Sequence, residues 1–188
     1  MAQYNIIAEN ENYTIVSDYQ SAYRTNEKYQ TEAQLEQELI KNLTEQGYEY
    51  LAIHTEKDLV DNLRVQLQRL NDYTFTDSEW ERFFNDVIAN QNEGIEAKTA
   101  KIQEDHIQVL KRDTGETKNI YLIDKRNIHN NYLQVINQYE EEQGNHDARY
   151  DVSILVNGLP LVHIELKRRG VQLKEAFNQI DRYQRDSF

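Results

Sequence analysis

The stretch Tyr150-Asp-Val-Ser-Ile-Leu-Val156, Asn157-Gly158-Leu-Pro160, Leu161-Val-His-Ile-Glu-Leu-Lys167 decides how this chain is read. Two apolar runs with a period of two flank Asn157-Gly158, a dipeptide that favours the tight turn of a β-hairpin. Side chains alternate faces along a strand, so parity decides which of them meet. Val152, Ile154 and Val156 share one face with Val162, Ile164 and Leu166, and form a core surface. The other face holds Asp151 and Ser153 on one strand, His163, Glu165 and Lys167 on the other. A turn centred between Asn157 and Pro160 sets residues whose numbers sum to about 316 opposite each other. Asp151 then falls beside Glu165, within the ~4.5–5.5 Å of a cross-strand pair.

Two carboxylates facing each other destabilise a sheet unless something compensates. A hard divalent cation does so economically, because Mg²⁺ takes carboxylate oxygens and keeps waters that a phosphate can displace. Lys167 points the same way and can hold an attacking water or stabilise charge on phosphorus. The plainer alternative is a solvated face with a Glu–Lys ion pair. His163 is either a substrate contact or a half-buried, hydrogen-bonded histidine. The five histidines lack the spacing of a zinc site.

Outward from the hairpin, the first half of the chain reads as mostly helical. Thr31 caps a helix carrying Leu35, Leu39, Ile40 and Leu43, which stops at Gly47. A second helix starts near Thr55 with Leu59, Val60, Leu63, Leu67 and Leu70. A third opens with Thr76-Asp-Ser-Glu79, a capping box, and carries Trp80, Phe83, Phe84, Val87 and Ile88. Beyond residue 100 the period shortens. Ile107–Val109 and Ile120–Ile123 flank a turn at Asp113–Glu116, and Tyr132–Ile136 reads as a further strand. After Gly170 the spacing of Leu173, Phe177 and Ile180 is helical again. Helices, a mainly antiparallel sheet and a closing helix predict an α/β layer arrangement in α+β-like order.

The chain has 188 residues, no cysteine, and 21 Lys+Arg against 33 Asp+Glu, a net charge of −12. That length suits one domain with one sizeable core. Disulfides, thiol nucleophiles and Cys-type zinc sites are excluded. No apolar run approaches the ~18 residues of a spanning helix, and the first residues lack the basic and apolar regions of a secretory leader, so a cytoplasmic location is expected. The acidity is uneven. Residues 148–188 carry seven basic and five acidic side chains, leaving 14 basic against 28 acidic for residues 1–147. A global charge of this sign therefore does not exclude DNA as a partner of the hairpin.

Asp151…Glu165-Leu-Lys167 resembles the PD-(D/E)xK nuclease signature, with Tyr150 where the motif's name has Pro. Gln179-Ile-Asp-Arg-Tyr183 is similar to the Q-x-x-x-Y pattern that follows this core in RecB-type nucleases. More widely the chain resembles the N-terminal nuclease region of the R (motor) subunit of type I restriction enzymes. The matching segments are Thr31-Glu-Ala-Gln-Leu-Glu-Gln-Glu-Leu-Ile40, Gln46-Gly-Tyr48, Asn145-His-Asp-Ala-Arg-Tyr-Asp151, Val162 to Gly170, and Ala176 to Tyr183. The resemblance implies a restriction-endonuclease-like fold, a central mixed sheet flanked by helices. It implies Asp151 and Glu165 as metal ligands, Lys167 as the catalytic lysine, and Gln179 and Tyr183 as accessory residues. Glu36, or else Glu32, would complete the metal site, and Arg168 and Arg169 would contact DNA.

The same resemblance implies a single nuclease domain, helical over about residues 1–100, with the catalytic sheet and closing helix over about 101–188. The expected cofactor is Mg²⁺, with Mn²⁺ able to substitute. The expected partners are double-stranded DNA and the methyltransferase and specificity subunits. No G-x-x-x-x-G-K-[ST] loop occurs, so ATP would serve only the motor domains of a full subunit, of which this chain would be a fragment. Two other readings stay open: a catalytically silent DNA-binding or assembly module, and another PD-(D/E)xK nuclease of repair or recombination.

Overall fold

The computed structural model describes residues 30–141 and 148–168, the strands at residues 5–9 and 14–17, and residues 174, 177 and 178. An antiparallel pair, β1 (Asn5–Glu9) and β2 (Thr14–Ser17), precedes the first helix, a feature that the helical reading of this half did not include.

The three helices expected from spacing form where their caps place them. α1 (Glu32–Glu45) begins at Thr31, whose side chain accepts from the Gln34 amide while Gln34 bonds back to the Thr31 amide. It is followed by Gly47 at φ 97°, a left-handed position that suits glycine. α2 (Glu56–Asn71) is capped by Thr55, and α3 (Asp77–Phe83) by the expected Thr76–Glu79 box. α3 widens into a π-turn over Phe84–Ile88. A further helix, α4 (Ile95–Gln103), has no buried residue and so no apolar stripe to announce it. No helix among the described residues is long and apolar enough to cross a membrane.

The principal sheet is mixed, with the order β3-β6-β7-β8. β3 is only Glu49–Tyr50 and lies parallel to β6 (Leu133–Glu141); β7 (Ala148–Val156) and β8 (Leu159–Ile164) complete it antiparallel. The hairpin β4 (Ile107–Lys111) and β5 (Thr117–Tyr121) does not join this sheet but forms its own two-stranded one. Its inward positions are Leu110 and Ile120, which pack with Leu122 against Leu63, Leu67, Phe75, Trp80 and Phe83 of the α2–α3 region; Val109 is 56% exposed. The aromatic cluster thus claims the hairpin before the sheet edge can.

Both faces of the principal sheet are covered. On one, Val135 and Val152, with Ile154, Ile164 and Leu166, meet Leu39, Ile40 and Leu43 of α1. On the other, Ile136 and Leu155 meet Ile53, Leu51 and Leu59. The mixed α/β architecture is the one expected and is compatible with a restriction-endonuclease-like fold. The turn between β7 and β8 is pinned against α2. Asn157 is fully buried, donates to the Leu122 carbonyl and to Asn131 Oδ1, and accepts from the Tyr132 amide.

Candidate active site at the end of the β7–β8 hairpin

The hairpin register places Val152 opposite Ile164, Ser153 opposite His163 and Ile154 opposite Val162, the sum of 316 that parity required. It shifts by one between Ile154 and Leu155. β8 starts at Leu159, earlier than Leu161, and ends at Ile164, so Glu165-Leu-Lys167 lies just past the strand. The reason lies at Asp151. Its Oδ2 accepts from the Leu166 amide at 2.7 Å, so a side-chain carboxylate takes the donor that a ladder carbonyl would otherwise use.

Asp151, Glu165 and Lys167 are brought together at this point. Lys167 Nζ donates to Glu165 Oε1 at 2.6 Å, and the two side chains are only 19% and 3% exposed. The second oxygen of Glu165, Oε2, is buried with no hydrogen-bond partner. Burial, with the negative charge of Asp151 added, holds the Glu165 carboxyl above its ordinary pKa despite the pull of Lys167. Burial also works against the Lys167 ammonium. Its hydrogen bond and attraction to Glu165, with Glu32 and Asp151 adding, outweigh that and keep its pKa above the usual lysine value. The two shifts differ in origin: burial comes first for Glu165, whereas for Lys167 the surrounding carboxylates overcome burial.

An unpartnered buried carboxylate oxygen beside a second carboxylate is a donor set that fits a hard divalent cation. Asp151 and Glu165 are the residues able to hold one. No group of three or more His, Asp or Glu suited to a metal ion occurs among the described residues. Glu36 is not brought to this pair. It is buried on α1, with Oε1 accepting from Asn137 Nδ2 at 2.5 Å and from Gln138 Nε2 at 3.2 Å, and Oε2 from Gln138 Nε2 at 3.3 Å. The α1 carboxylate whose charge bears on Lys167 is Glu32, one turn earlier, which accepts from the Arg168 amide at 3.4 Å.

His163 shares the site's face with its Nδ1 2.8 Å from Ser153 Oγ, the hydrogen-bonded arrangement. Ser153 itself is buried, while His163 opposite it is exposed. Arg168 is exposed, free of the core. Arg169, Gln179 and Tyr183 lie outside the described residues. Sequence reasoning missed Asn137 and Gln138, which carried no motif; the only signal was a pair of amide side chains in the strand next to Asp151.

Residues 29–188 match the family model described as type I restriction enzyme R protein N terminus. The EcoprrI endonuclease subunit of Escherichia coli, a type I restriction enzyme, is 48% identical over 183 residues, which cover 97% of this chain and 58% of that protein. The SsaAORF53P endonuclease subunit of Staphylococcus saprophyticus is 39% identical over 165 residues, and the SauCOLORF180P subunit of Staphylococcus aureus 38% over 167; each match covers 85% of this chain and 17% of the relative. The chain thus spans little over half, or about a sixth, of the curated relatives it matches. On this match, which takes in the hairpin and both helices that cover its sheet, the chain belongs to the family of type I restriction enzyme R protein N termini.

Proposed function

We propose that the chain is the Mg²⁺-dependent DNA endonuclease domain of a type I restriction enzyme R subunit, hydrolysing DNA phosphodiester bonds. The observation that carries this is the buried, unpartnered Glu165 Oε2 beside Asp151, with the Lys167 ammonium on the same carboxylate. A bound Mg²⁺, or Mn²⁺ in its place, would supply positive charge to polarise the scissile phosphate and its attacking water. Asp151 and Glu165 would hold it.

The chain's own residues do the rest. Asp151 fixes the strand end through the Leu166 amide, so the carboxylates and the lysine stay in register. Lys167, its proton held by surrounding carboxylates, orients the attacking water and stabilises negative charge as it develops on phosphorus. Arg168 and Arg169 contact the phosphate backbone, and Gln179 and Tyr183 support the site. The domain is one nuclease unit, with its helical part over about residues 1–100 and its catalytic part over about 101–188. Double-stranded DNA is its substrate, in the cytoplasm. Methyltransferase and specificity subunits supply recognition, and ATP serves motor domains elsewhere in the full subunit.

The test combines Mn²⁺ calorimetry with nicking of supercoiled plasmid by the 188-residue chain. Wild type should bind Mn²⁺ and nick, while Asp151→Ala and Glu165→Ala lose both. Equal Mn²⁺ affinity and equal lack of nicking in wild type and Asp151→Ala refute the proposal.

A further inference from the structure

Strand β6 is distorted at one residue, and that residue stands opposite Asp151. The β6–β7 register runs from Leu133↔Val156 to Asn137↔Val152 and resumes at Tyr139↔Tyr150 with the same offset, passing over Gln138 and Asp151. Gln138 has φ 53°. Among the described residues, the other two non-glycine positions with positive φ, Asp72 and Asn157, sit at a helix C-cap and a hairpin turn and are of the types that tolerate this region. A glutamine in mid-strand is neither. Such strain persists only where its surroundings enforce it, and it gathers at functional sites.

The side chain of Gln138 reaches Glu36. Alternation puts Val135 and Asn137 on the α1 face and Ile136 on the opposite face, together with Ser153 and Leu155. Gln138 should therefore project from the Ser153 face, cross-strand from Asp151. Instead its amide reaches Glu36 on α1, where Asn137 is also bonded. Two successive strand residues cannot both reach one carboxylate while fully extended. The left-handed backbone at Gln138 is what permits it.

We propose that Glu36 and Gln138 are positioning residues for the nuclease site: Glu36 draws the Gln138 side chain off the catalytic face and so keeps the cross-strand position beside Asp151 clear for cation and phosphate. This rests on the nuclease reading above, and it gives Glu36 a role other than metal ligand. Regular β geometry at residue 138 would bring a side chain to within ~4.5–5.5 Å, Cβ to Cβ, of Asp151. Releasing the Gln138 amide from Glu36 would send it there.

The experiment measures Mn²⁺ affinity of the full chain by calorimetry, and folding by circular dichroism and thermal melting. Gln138→Val disfavours left-handed backbone and places a branched side chain opposite Asp151, while changing no carboxylate. It should weaken Mn²⁺ binding by about tenfold or more, the usual effect of residues that orient a metal's ligands. Gln138→Gly keeps the backbone permitted and the position empty, and should bind within about threefold of wild type. Glu36→Ala should weaken binding in the wild-type background and leave it unchanged in the Gln138→Gly background, where no side chain remains to be held. Its melting temperature should fall in both, since Asn137 Nδ2 loses its Glu36 acceptor either way. Equal Mn²⁺ loss from Glu36→Ala in the two backgrounds makes Glu36 a ligand and overturns the proposal. So does a folded Gln138→Val with wild-type affinity. Wild type binding Mn²⁺ no better than Asp151→Ala overturns the nuclease reading, and this proposal with it; the preceding two outcomes leave that reading standing.

Discussion

Gly158 turns the β7–β8 hairpin, and replacing it with alanine tests how the hairpin is anchored. Its φ is 81°, and a Cβ built there would stand 2.6 Å from Leu63 Cα and 3.1 Å from Leu63 N, both backbone atoms of α2. Ordinary contact needs 3.4 Å or more, so either the turn or the helix must move by most of an ångström. Gly115 is the internal control, with φ 87° and nothing within 4 Å of its built Cβ. Each alanine incurs the left-handed backbone cost, about 1–2 kcal/mol. Only Gly158→Ala adds overpacking, about 1–3 kcal/mol, and its neighbour is backbone in the middle of a helix, which cannot swing aside. The expected losses are about 1–2 kcal/mol for Gly115→Ala and about 2–5 kcal/mol for Gly158→Ala, the latter a large part of a typical domain's ~5–15 kcal/mol. Urea unfolding at fixed pH reads this directly. With a slope of about 2 kcal/mol per molar, the two midpoints should differ by roughly 0.5–1.5 M. Coincident midpoints would refute the close approach of turn and helix.

Three other substitutions probe the site and its support. Lys167→Ala should leave Mn²⁺ affinity within a fewfold of wild type while lowering nicking by about 10²–10³, as expected for loss of one charge-stabilising donor; calorimetry beside plasmid nicking separates the two, and parallel loss of both would count against the lysine's role. Asn157→Ala strips partners from the Leu122 carbonyl, Asn131 Oδ1 and the Tyr132 amide, and should cost about 2–4 kcal/mol by urea unfolding, against which a loss under about 1 kcal/mol would argue. Asp113 accepts from Ser78, Thr76 and Arg82, which together lower its pKa to about 2 from 3.8. A carboxylate depressed in the folded state stabilises above its unfolded pKa and ceases to as the pH falls through the folded one. The stability gap between wild type and Asp113→Asn should therefore be full at about pH 5 and shrink toward pH 2, and a gap independent of pH across that window would disprove the assignment.

How much of this was legible beforehand follows from the range of the forces involved. Helix starts at Thr31, Thr55 and Thr76 could be read because a cap is a contact between residues three apart. Asp151, Glu165 and Lys167 could be placed together from a turn centred between Asn157 and Pro160 and from strand parity; the tighter Asn157-Gly158 turn that forms is one residue out of that register, and the shift between Ile154 and Leu155 restores it, with the ladder ending one residue short of Glu165. β3 could not, since two exposed residues show no alternation and are a strand only because β6 lies beside them. The β4–β5 hairpin was legible as a hairpin, but its partner was not: Leu110 and Ile120 fit any apolar surface, and the one they pack on is formed by the leucines of α2 with Phe75, Trp80 and Phe83.

The α1 carboxylates show where local reading stops. Glu32 and Glu36 lie one turn apart on the same helix face, so spacing makes them equivalent candidates. What separates them is how far α1 slides along the sheet before Leu39, Ile40 and Leu43 seat on Val135 and Val152. That packing sets Glu36 over Asn137 and Gln138, and leaves Glu32 at the end where Lys167 and the Arg168 amide emerge. A carboxylate's role here is thus decided by the apolar residues that share its helix. Shifting α1 by one turn would exchange the two glutamates without altering any acidic residue, so packing substitutions at Leu39 or Leu43 should disturb the Asp151–Glu165–Lys167 cluster as surely as changes to the glutamates themselves.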